Sequence, residues 1–439
     1  MDSIWHSANF PTFPVMEKGL STEVLIIGGG MAGLLCAWHL QKKKIPYVLV
    51  EAKTPMGGVS GCTTAKITSQ HGLIYSKLYE KAGPETARLY LEANENAVQA
   101  YRNLCREIPC DFVSRNSFVY SLDDRTAVQK ECQILQELGY PAAFTEAVDL
   151  PFSVAGAVKF PGQAQFHPVK FAAAISENLN IYQNTKVQHL LPDGAVTNRG
   201  KIRAKKIIVA THFPICNKHG MYFLKQYQQR SYVLALKNAP QLDGMYVDAA
   251  ENGLSFRNYG ELLLLGGGGH RTGKPGGNWD VLRAFAKKYF PEAGEVTHWA
   301  TQDCIPLDNI PYIGKYSKST PNLFVATGFQ KWGMTTSMVA AKLLTDLVQG
   351  KSNPYAKIFS PSRSMLHPQL GANILETTKN LLTLTPKRCP HLGCALKWNP
   401  AEHSWDCPCH GSRFSETGEL LNGPAADDLQ KQQDDGIPM

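Results

Sequence analysis

A glycine-rich turn near the N-terminus constrains the fold of this chain more than any other segment. Residues 23–27 form a short apolar run rich in β-branched side chains, which is typical of a buried parallel strand. The run leads directly into a Gly-x-Gly-x-x-Gly motif at residues 28–33, and a helical pattern continues to about Lys42. A second apolar run, residues 47–50, ends at Glu51. This order of strand, glycine turn, helix, strand and acid predicts a doubly wound α/β sheet.

The same spacing is that of a dinucleotide-binding turn. Gly28 permits the tight turn, Gly30 lets the backbone approach a pyrophosphate, and Gly33 allows close packing of the helix on the strand. The helix N-terminus faces the phosphates, and Glu51 is placed to accept from ribose hydroxyls. The motif alone does not separate FAD from NAD. The cofactor-binding residues predicted here are Gly28, Gly30, Met31, Ala32, Gly33, Glu51 and Ala52.

Three further segments resemble the D-amino-acid oxidase family of flavoproteins. They are the small-residue loop at 57–64, the apolar run at 202–211 and the segment at 322–335. In that family the last segment is a strand and a helix whose N-terminus faces the isoalloxazine and stabilises the anionic reduced flavin. The resemblance implies FAD as the cofactor. It adds Ser60, Thr64, Val187, Ala210, Thr211, Gly314, Gly328, Trp332, Gly333, Met334 and Thr335 to the predicted cofactor-binding residues.

The remaining flavoprotein segments predict a second domain. Residues 85–107 and 125–138 have helical spacing, and residues 229–269 alternate and turn repeatedly, as an antiparallel sheet does. In the resembling family such a sheet covers the flavin and holds the substrate. We therefore expect an α/β FAD-binding Rossmann-like domain and an α+β antiparallel-sheet substrate domain. The predicted ranges are 20–85, 150–228 and 295–361 for the FAD-binding domain, and 86–149 and 229–294 for the substrate domain.

The sequence offers two candidate catalytic residues, His270 and Asp303. Relatives that oxidise amino acids carry an arginine for the substrate carboxylate in a stretch that corresponds to residues 299–314, and no arginine occurs there. This argues against a free α-amino acid as the substrate. Asp303 and Asp308 can instead hold a cationic amine, or they can cap turns. His270 follows four glycines, so it can face the flavin or serve only in a loop.

Two boxes of cysteine and histidine lie near the C-terminus, at residues 389–394 and 407–412. Their ligands Cys389, His391, Cys407 and His410 supply two thiolates and two imidazoles. Zinc is one alternative, but zinc fingers usually keep like ligands together, whereas each box here mixes Cys with His. The boxes resemble those of the Rieske [2Fe–2S] family, particularly its disulfide-containing branch. The resemblance implies that these four residues bind a [2Fe–2S] cluster and that a Cys394–Cys409 disulfide joins the ligand loops.

The C-terminal module is shorter than the family pattern. We expect a linker at 362–380 with a short helix near 374–379, followed by a small all-β Rieske domain at 381–439. Few residues remain for the strands that normally precede the first box. Because a segment of ~50 residues makes a marginal core, the module is expected to bury part of its surface against the flavin part. Both ligand histidines are expected at a partly exposed tip. Phe414 replaces the tyrosine of high-potential relatives, which predicts a lower potential.

Composition narrows the possible partners. The net charge is +8, and no run of Lys and Arg is longer than residues 42–44, so nucleic acid is not an expected partner. The N-terminus lacks the pattern of a signal peptide, and the most apolar stretch, residues 24–40, is too short for a membrane span. Seven cysteines without regular spacing are typical of reduced thiols, which predicts a cytoplasmic protein.

These features predict an FAD-dependent oxidoreductase that oxidises the C–N bond of an amine or amino-acid derivative by hydride transfer. The Rieske cluster would pass the electrons to an external carrier protein or quinone. Two alternatives stay open. One is a reductive flavoenzyme that receives electrons through the cluster, and the other is a non-enzymatic electron-transfer adaptor.

Overall fold

The computed structural model describes residues 3–276 and 278–429. Nine α-helices occur in these ranges, and the two long ones predicted near 85–107 and 125–138 are confirmed as α3 and α4. The helices are α1 (Met31–Lys42), α2 (Tyr75–Ala82), α3 (Pro84–Leu104), α4 (Arg125–Glu137), α5 (Pro168–Ser176), α6 (Tyr222–Lys225), α7 (Trp279–Tyr289), α8 (Gly333–Val348) and α9 (Pro368–Leu382).

The strands of the same ranges form three sheets. They are β1 (Leu20–Ile27), β2 (Tyr47–Val50), β3 (Lys66–Ile67), β4 (Val113–Ser121), β5 (Ala143–Thr145), β6 (Gly156–Gln165), β7 (Ile181–Tyr182), β8 (Val187–Leu191), β9 (Gly194–Thr197), β10 (Gly200–Val209), β11 (Gln226–Lys237), β12 (Gly244–Asp248), β13 (Ser255–Tyr259), β14 (Leu262–Arg271), β15 (Gly294–Pro306), β16 (Tyr312–Lys315), β17 (Leu323–Thr327), β18 (Lys397–Asn399), β19 (Ser404–Asp406), β20 (Arg413–Ser415) and β21 (Leu420–Asn422).

The first sheet is the predicted doubly wound one. Its main order is β16-β17-β10-β1-β2-β7, with β8 and β9 attached to β10. Strands β17, β10, β1, β2 and β7 run parallel, so their carboxyl ends meet at one edge. Gly28, Glu51, Ala210 and Gly328 each directly follow one of these strands. The topology therefore brings together residues that are far apart in sequence.

Helices α1 and α8 pack against each other, and α1 contacts the first sheet at the glycine turn. A Cβ atom at Gly33 would lie 1.9 Å from the carbonyl oxygen of Gly28, so only glycine allows this approach. The apolar side chains of β1 and α1, such as Leu25, Ile26 and Leu34, are fully buried. Each contributes about 1.5–3 kcal/mol by leaving water, which fixes the turn firmly against the sheet.

The second sheet has nine strands in the order β15-β11-β14-β13-β12-β4-β6-β3, with β5 paired to β6. Its pairings are antiparallel except for β12 with β4. Strands β3, β6 and β15 belong to it although they lie in ranges predicted for the FAD-binding domain. Alternation along a chain identifies a strand, but pairing with distant segments decides its sheet.

The C-terminal module is a four-stranded antiparallel sheet, β18-β19-β20-β21. Among the residues described, its buried apolar core is small, and outside the cysteines it consists of Leu396, Phe414 and Ala425. Helix α9 precedes it and is longer than the short helix predicted near 374–379, because Pro368 starts the helix and the helix continues through Gly371 to Leu382.

No helix in the part of the chain that the structure describes combines the length and apolar character needed to cross a bilayer.

Candidate functional site: a nucleotide cavity beside a cysteine and histidine cluster

A cavity of about 1260 Å³ opens at the carboxyl edge of the first sheet and extends under the second sheet to the C-terminal module. This volume exceeds the ~300–1,000 Å³ of ordinary small-molecule sites, as a dinucleotide with a substrate beside it requires. The cavity is lined by fifteen of the residues that the sequence predicts for the cofactor. They are Gly28, Gly30, Met31, Ala32, Glu51, Ala52, Ser60, Thr64, Val187, Ala210, Thr211, Gly328, Trp332, Gly333 and Met334.

The glycine turn forms a cradle that a larger residue would fill. Gly28 has φ +110°, and a Cβ atom there would lie 2.6 Å from the carbonyl oxygen of Ala210. At Gly30 a Cβ atom would lie 3.0 Å from Ser60 Oγ, and Gly30 begins α1 without a side-chain cap. Glu51 Oε2 accepts a hydrogen bond of 2.7 Å from the backbone N–H of Gly29. Backbone approach, a helix N-terminus and a fixed carboxylate fit the pyrophosphate and ribose of FAD.

Three predicted cofactor residues do not line the cavity. Gly33 packs beneath the turn, as described above. Thr335 is buried and exchanges hydrogen bonds of 3.0 and 2.9 Å with the backbone of Thr68. Gly314 lies in β16, the antiparallel edge strand, where a Cβ atom would meet Pro361 at 3.1 Å. The prediction for Gly314 is therefore not supported, because β16 lies outside the parallel strands whose ends form the site.

His270, a predicted catalytic residue, also lies outside the cavity. Arg230 of β11 pairs with His270 of β14, and Tyr232 pairs with Gly267. Strand β14 therefore has one more residue than β11 between these two pairs. This bulge reverses the side-chain alternation after the cavity-lining glycines. The His270 ring instead stacks on Tyr232, and its Nε2 lies 2.9 Å from the Tyr232 hydroxyl. Of the two roles open to His270, the structure does not place it at the cavity, and the bulge that turns it away cannot be foreseen from a run of four glycines.

The two aspartates differ in their surroundings. Asp303 lines the cavity, and burial raises the pKa of its carboxyl to about 7, against the opposing effects of Lys331 and Arg230. The described residues give it no ion-pair partner within 4.0 Å. Asp308 also lines the cavity, but its carboxylate is paired with Arg363 at 2.6 Å and accepts from the N–H of Ile310. Asp308 therefore stabilises a turn, and Asp303 is the carboxylate that remains available to bind a ligand in the cavity.

Sequence reasoning missed Lys66, a buried cation in the cavity wall. Its side chain is only 8% exposed, and its ammonium donates to Thr64 Oγ1 at 3.3 Å. Burial, together with the nearby Arg257, lowers the pKa of Lys66 to about 7. Arg257 donates to the carbonyls of Thr64 and Ala65, each at 2.8 Å. A charged residue directly after a loop of small residues was the available signal in the sequence.

The four predicted cluster ligands converge in the C-terminal module. The Cys389 thiol contacts that of Cys407, and the rings of His391 and His410 are 5.0 Å apart at 87°. The Nδ1 atoms of both histidines are buried, and they have no hydrogen-bond partner in the described part of the chain. Two adjacent thiols and two neighbouring imidazoles with buried, unsatisfied nitrogens fit a [2Fe–2S] cluster with Cys₂His₂ ligation.

The predicted disulfide is not formed in this structure. Cys394 and Cys409 are buried free thiols. Their sulfur atoms and that of Cys407 lie within 4.8 Å of one another. The Cys394–Cys409 bond therefore stays a prediction, although the two side chains are close neighbours.

Of the two ligand histidines, His391 is partly exposed, as predicted, whereas His410 is not. His410 is only 1% exposed and lies against Phe223, with ring centroids 5.8 Å apart. His391 Nε2 lies 2.7 Å from Oδ1 of Asn217. The expectation of partly exposed ligands was wrong for His410, because the second ligand loop packs against the flavoprotein part and is covered by it.

Glutamine side chains of the second sheet hold the second ligand loop. Gln228 of β11 donates to the carbonyls of His410 at 2.7 Å and Gly423 at 3.0 Å. Gln302 of β15 donates to the carbonyl of Gly411 at 2.8 Å. Polar residues on an outer sheet face are common, so no sequence signal distinguished these two.

Strands β11 and β15 therefore contribute side chains to both the cavity and the contacts with the second ligand loop. Gln228 and Gln302 point to the ligand loop, whereas their neighbours Gln229 and Asp303, which pair with each other, line the cavity. Successive side chains of a strand point to opposite faces. The cavity and the loop that carries His410 therefore lie on opposite faces of these two strands.

Comparison with known families agrees with this architecture. The family described as DAO, FAD dependent oxidoreductase, matches residues 23–347. The family described as Rieske [2Fe-2S] domain matches residues 372–433. FAD and a [2Fe–2S] cluster are accordingly the cofactors of the two parts.

Three known proteins illustrate the similarity. The putative Rieske 2Fe-2S iron-sulfur protein YhfW of Bacillus subtilis (strain 168) is 34% identical, over 97% of this chain and 96% of that protein. Glycine oxidase from Geobacillus kaustophilus has a TM-score of 0.67 at 21% identity, over 79% of this chain and 100% of the other. L-proline dehydrogenase from P. horikoshii has a TM-score of 0.66 at 16% identity, over 79% and 98%. The last two share the fold of the flavoprotein part. The chain thus belongs to the DAO family of FAD-dependent oxidoreductases and carries a Rieske [2Fe–2S] domain at its C-terminal end.

Proposed function

We propose that the chain is a dehydrogenase that oxidises the C–N bond of an amine or amino-acid derivative, with electrons leaving through the Rieske cluster to an external acceptor. The observation that carries this proposal is that strands β11 and β15 contribute side chains both to the cavity and to the contacts with the ligand loop. When bound, FAD supplies two-electron acceptance as hydride, and the cluster supplies one-electron transfer.

Asp303 is the proposed amine-binding residue. It is a cavity carboxylate without an ion-pair partner among the described residues, so a substrate ammonium group can neutralise it. Its pKa of about 7 also suits the transfer of one proton from the ammonium to the carboxylate. The amine then has the free electron pair that release of a hydride from its α-carbon requires.

Lys66 is the proposed partner of an acidic group on the substrate. It is a buried cation in the wall of the same cavity, and residues 299–314 lack the arginine that performs this task in amino-acid-oxidising relatives. A carboxylate brought beside Lys66 would restore its charge, because an opposite charge favours the ionised form. An amino-acid derivative would then bind with its amine at Asp303 and its acid at Lys66.

Two proteins with the same fold support oxidation of a C–N bond as the reaction class. Glycine oxidase and L-proline dehydrogenase act on compounds with a C–N bond next to a carboxylate.

Anaerobic mixing with a panel of amines and N-substituted amino acids tests the proposal. The expected result is bleaching of the flavin absorbance, followed by the EPR signal of a reduced Rieske cluster. Lys66→Met is expected to slow bleaching by amino-acid derivatives about tenfold or more, as loss of a charged hydrogen bond worth ~1.5–3 kcal/mol predicts. Simple amines should be affected less.

Other outcomes would replace the proposal. Bleaching only after electrons enter through the cluster from an external reductant would indicate a reductive flavoenzyme. Failure of every small molecule to bleach a fully loaded protein would indicate an electron-transfer adaptor.

A further inference from the structure

Helix α9 has two distinct sides, but it turns its polar side toward the protein and its apolar side toward solvent. Its buried residues are Asn373 and Asn380, both polar. Its apolar residues Ile374, Leu375, Leu381 and Leu382 are exposed, and Leu375 and Leu382 are 72% and 76% exposed. At 3.6 residues per turn these four lie on one side, opposite the asparagines. We call them the apolar face of α9.

The polar side of α9 is firmly bonded to the molecule, so the helix cannot simply turn its leucines inward. Asn373 Oδ1 accepts from Arg271 at 3.0 Å, and Asn373 Nδ2 donates to the carbonyl of Leu224 at 3.3 Å. Glu376 forms an ion pair with Lys274. The backbone N–H of Ala395 donates to the carbonyl of Asn380 at 3.0 Å. These partners fix the orientation that exposes the apolar face.

The apolar face adjoins the first ligand loop. Leu381 Cδ2 lies 4.0 Å from the position of a Cβ atom at Gly393. Arg388, which precedes ligand Cys389, donates to the carbonyls of Leu381 and Gly393 at 3.3 and 2.7 Å. The side of the cluster that carries His410 is covered by the second sheet, so the loop beside α9 is the accessible route to the cluster.

Charge around the apolar face is positive. Lys379 lies on α9 itself, and Arg388 donates to the carbonyl of Leu381; both side chains are exposed. The one acid of residues 368–398, Glu376, is already paired with Lys274. The chain as a whole has a net charge of +8. An apolar surface with a basic rim is complementary to a partner whose apolar contact surface has an acidic rim. Such charge complementarity increases the association rate constant of the two proteins.

We propose that the apolar face of α9 docks a small acidic one-electron carrier protein, which is the external acceptor. This rests on the proposed function, which requires such an acceptor. In each transfer one electron leaves the reduced cluster and reduces one carrier molecule, with no bond made or broken. Two carriers are therefore reduced for every C–N bond oxidised.

The test uses full-length holoprotein reduced by dithionite, so it needs no amine substrate and stays valid if the proposed reaction is wrong. Excess dithionite is removed, and the probe is oxidised plastocyanin, a small acidic copper protein with a potential above that of Rieske clusters of the lower range, mixed anaerobically in a stopped-flow instrument. The double variant Leu375→Glu/Leu382→Glu is compared with Val281→Glu/Val296→Glu, two exposed apolar residues of the second-sheet region that receive the same charge change. EPR verifies an intact cluster in both.

The double variant on α9 is expected to lower the second-order rate constant roughly tenfold or more, because like charges suppress electrostatic encounter. The control should stay within about twofold of the wild type, and the wild-type rate should fall with added salt. Equal rates for the two variants, or no transfer from the wild type, would overturn the proposal. It would also be overturned if the α9 variant instead lost binding to phosphatidylglycerol vesicles, which indicates a membrane surface, or changed the oligomeric state, which indicates a second copy.

Discussion

At the residue scale, the raised pKa of Asp303 leads to a prediction about the pH dependence of the proposed reaction. Its carboxyl pKa is raised by burial to about 7, so the carboxylate forms only as the pH rises through that value. We therefore expect kcat/KM for a cationic amine to increase with pH around 7. Asp303→Asn should abolish this increase and lower kcat/KM about tenfold to hundredfold, since a charged hydrogen bond is worth ~1.5–3 kcal/mol.

Asp308→Asn is the matched control for Asp303. Its carboxylate already pairs with Arg363, so the substitution should lower thermal stability but leave the pH dependence in place. The role assigned to Asp303 would be contradicted if Asp303→Asn kept the wild-type pH profile, or if Asp308→Asn alone removed it.

Ser412 is expected to tune the cluster. Its hydroxyl contacts the sulfur of Cys389 and accepts from the N–H of Ala425 at 3.0 Å, while Phe414 beside it has no hydroxyl. Removing the donor by Ser412→Ala should lower the reduction potential by about 40 mV, equivalent to ~1 kcal/mol for one electron. Ser415→Ala, whose hydroxyl bonds only outward to Thr417 and the nearby chain, is the control in a redox titration. An unchanged potential in Ser412→Ala would be contrary evidence.

At the scale of secondary structure, β11 and β15 position the ligand loop against the cavity. The double variant Gln228→Ala/Gln302→Ala leaves the carbonyls of His410, Gly411 and Gly423 without these donors. Each unsatisfied buried group costs about 1–3 kcal/mol, so denaturant unfolding should show a loss of several kcal/mol.

Electron transfer from flavin to cluster should slow in the same double variant, because the ligand loop is no longer fixed against the sheet. Gln241→Ala is the control, since Gln241 is exposed and donates only to the carbonyl of Gly260 at 3.2 Å. A double variant with wild-type stability and wild-type transfer rate would show that these contacts do not position the cluster.

The elements also show where sequence reasoning succeeds and where it stops. The glycine turn and the ligand boxes were predictable because their chemistry depends on residues close together in sequence. His270 and Gly314 were misplaced because their positions depend on a bulge in β14 and on the edge position of β16. Lys66, Gln228 and Gln302 were missed since their roles arise only when strands distant in sequence pair. Sheet membership of β3, β6 and β15 depends on the same long-range pairing.

At the scale of the whole molecule, the C-terminal module depends on the flavoprotein part. Its own apolar core is small, and the contacts made by Arg271, Gln228, Gln302 and Asn217 come from outside it. An excised segment of residues 362–439 is therefore expected neither to fold cooperatively nor to hold its cluster, as followed by circular dichroism and visible absorbance. A stable excised segment with a Rieske spectrum would contradict this dependence.

The proposed function requires electrons to pass from the flavin to the cluster within one chain. The most direct test is a single-turnover experiment with a substrate that bleaches the flavin, followed by stopped-flow absorbance and freeze-quench EPR at several protein concentrations. Transfer within one chain predicts a reduced Rieske signal that follows bleaching with a rate constant independent of protein concentration. A cluster that stays oxidised after bleaching, or a rate proportional to protein concentration, would contradict the account.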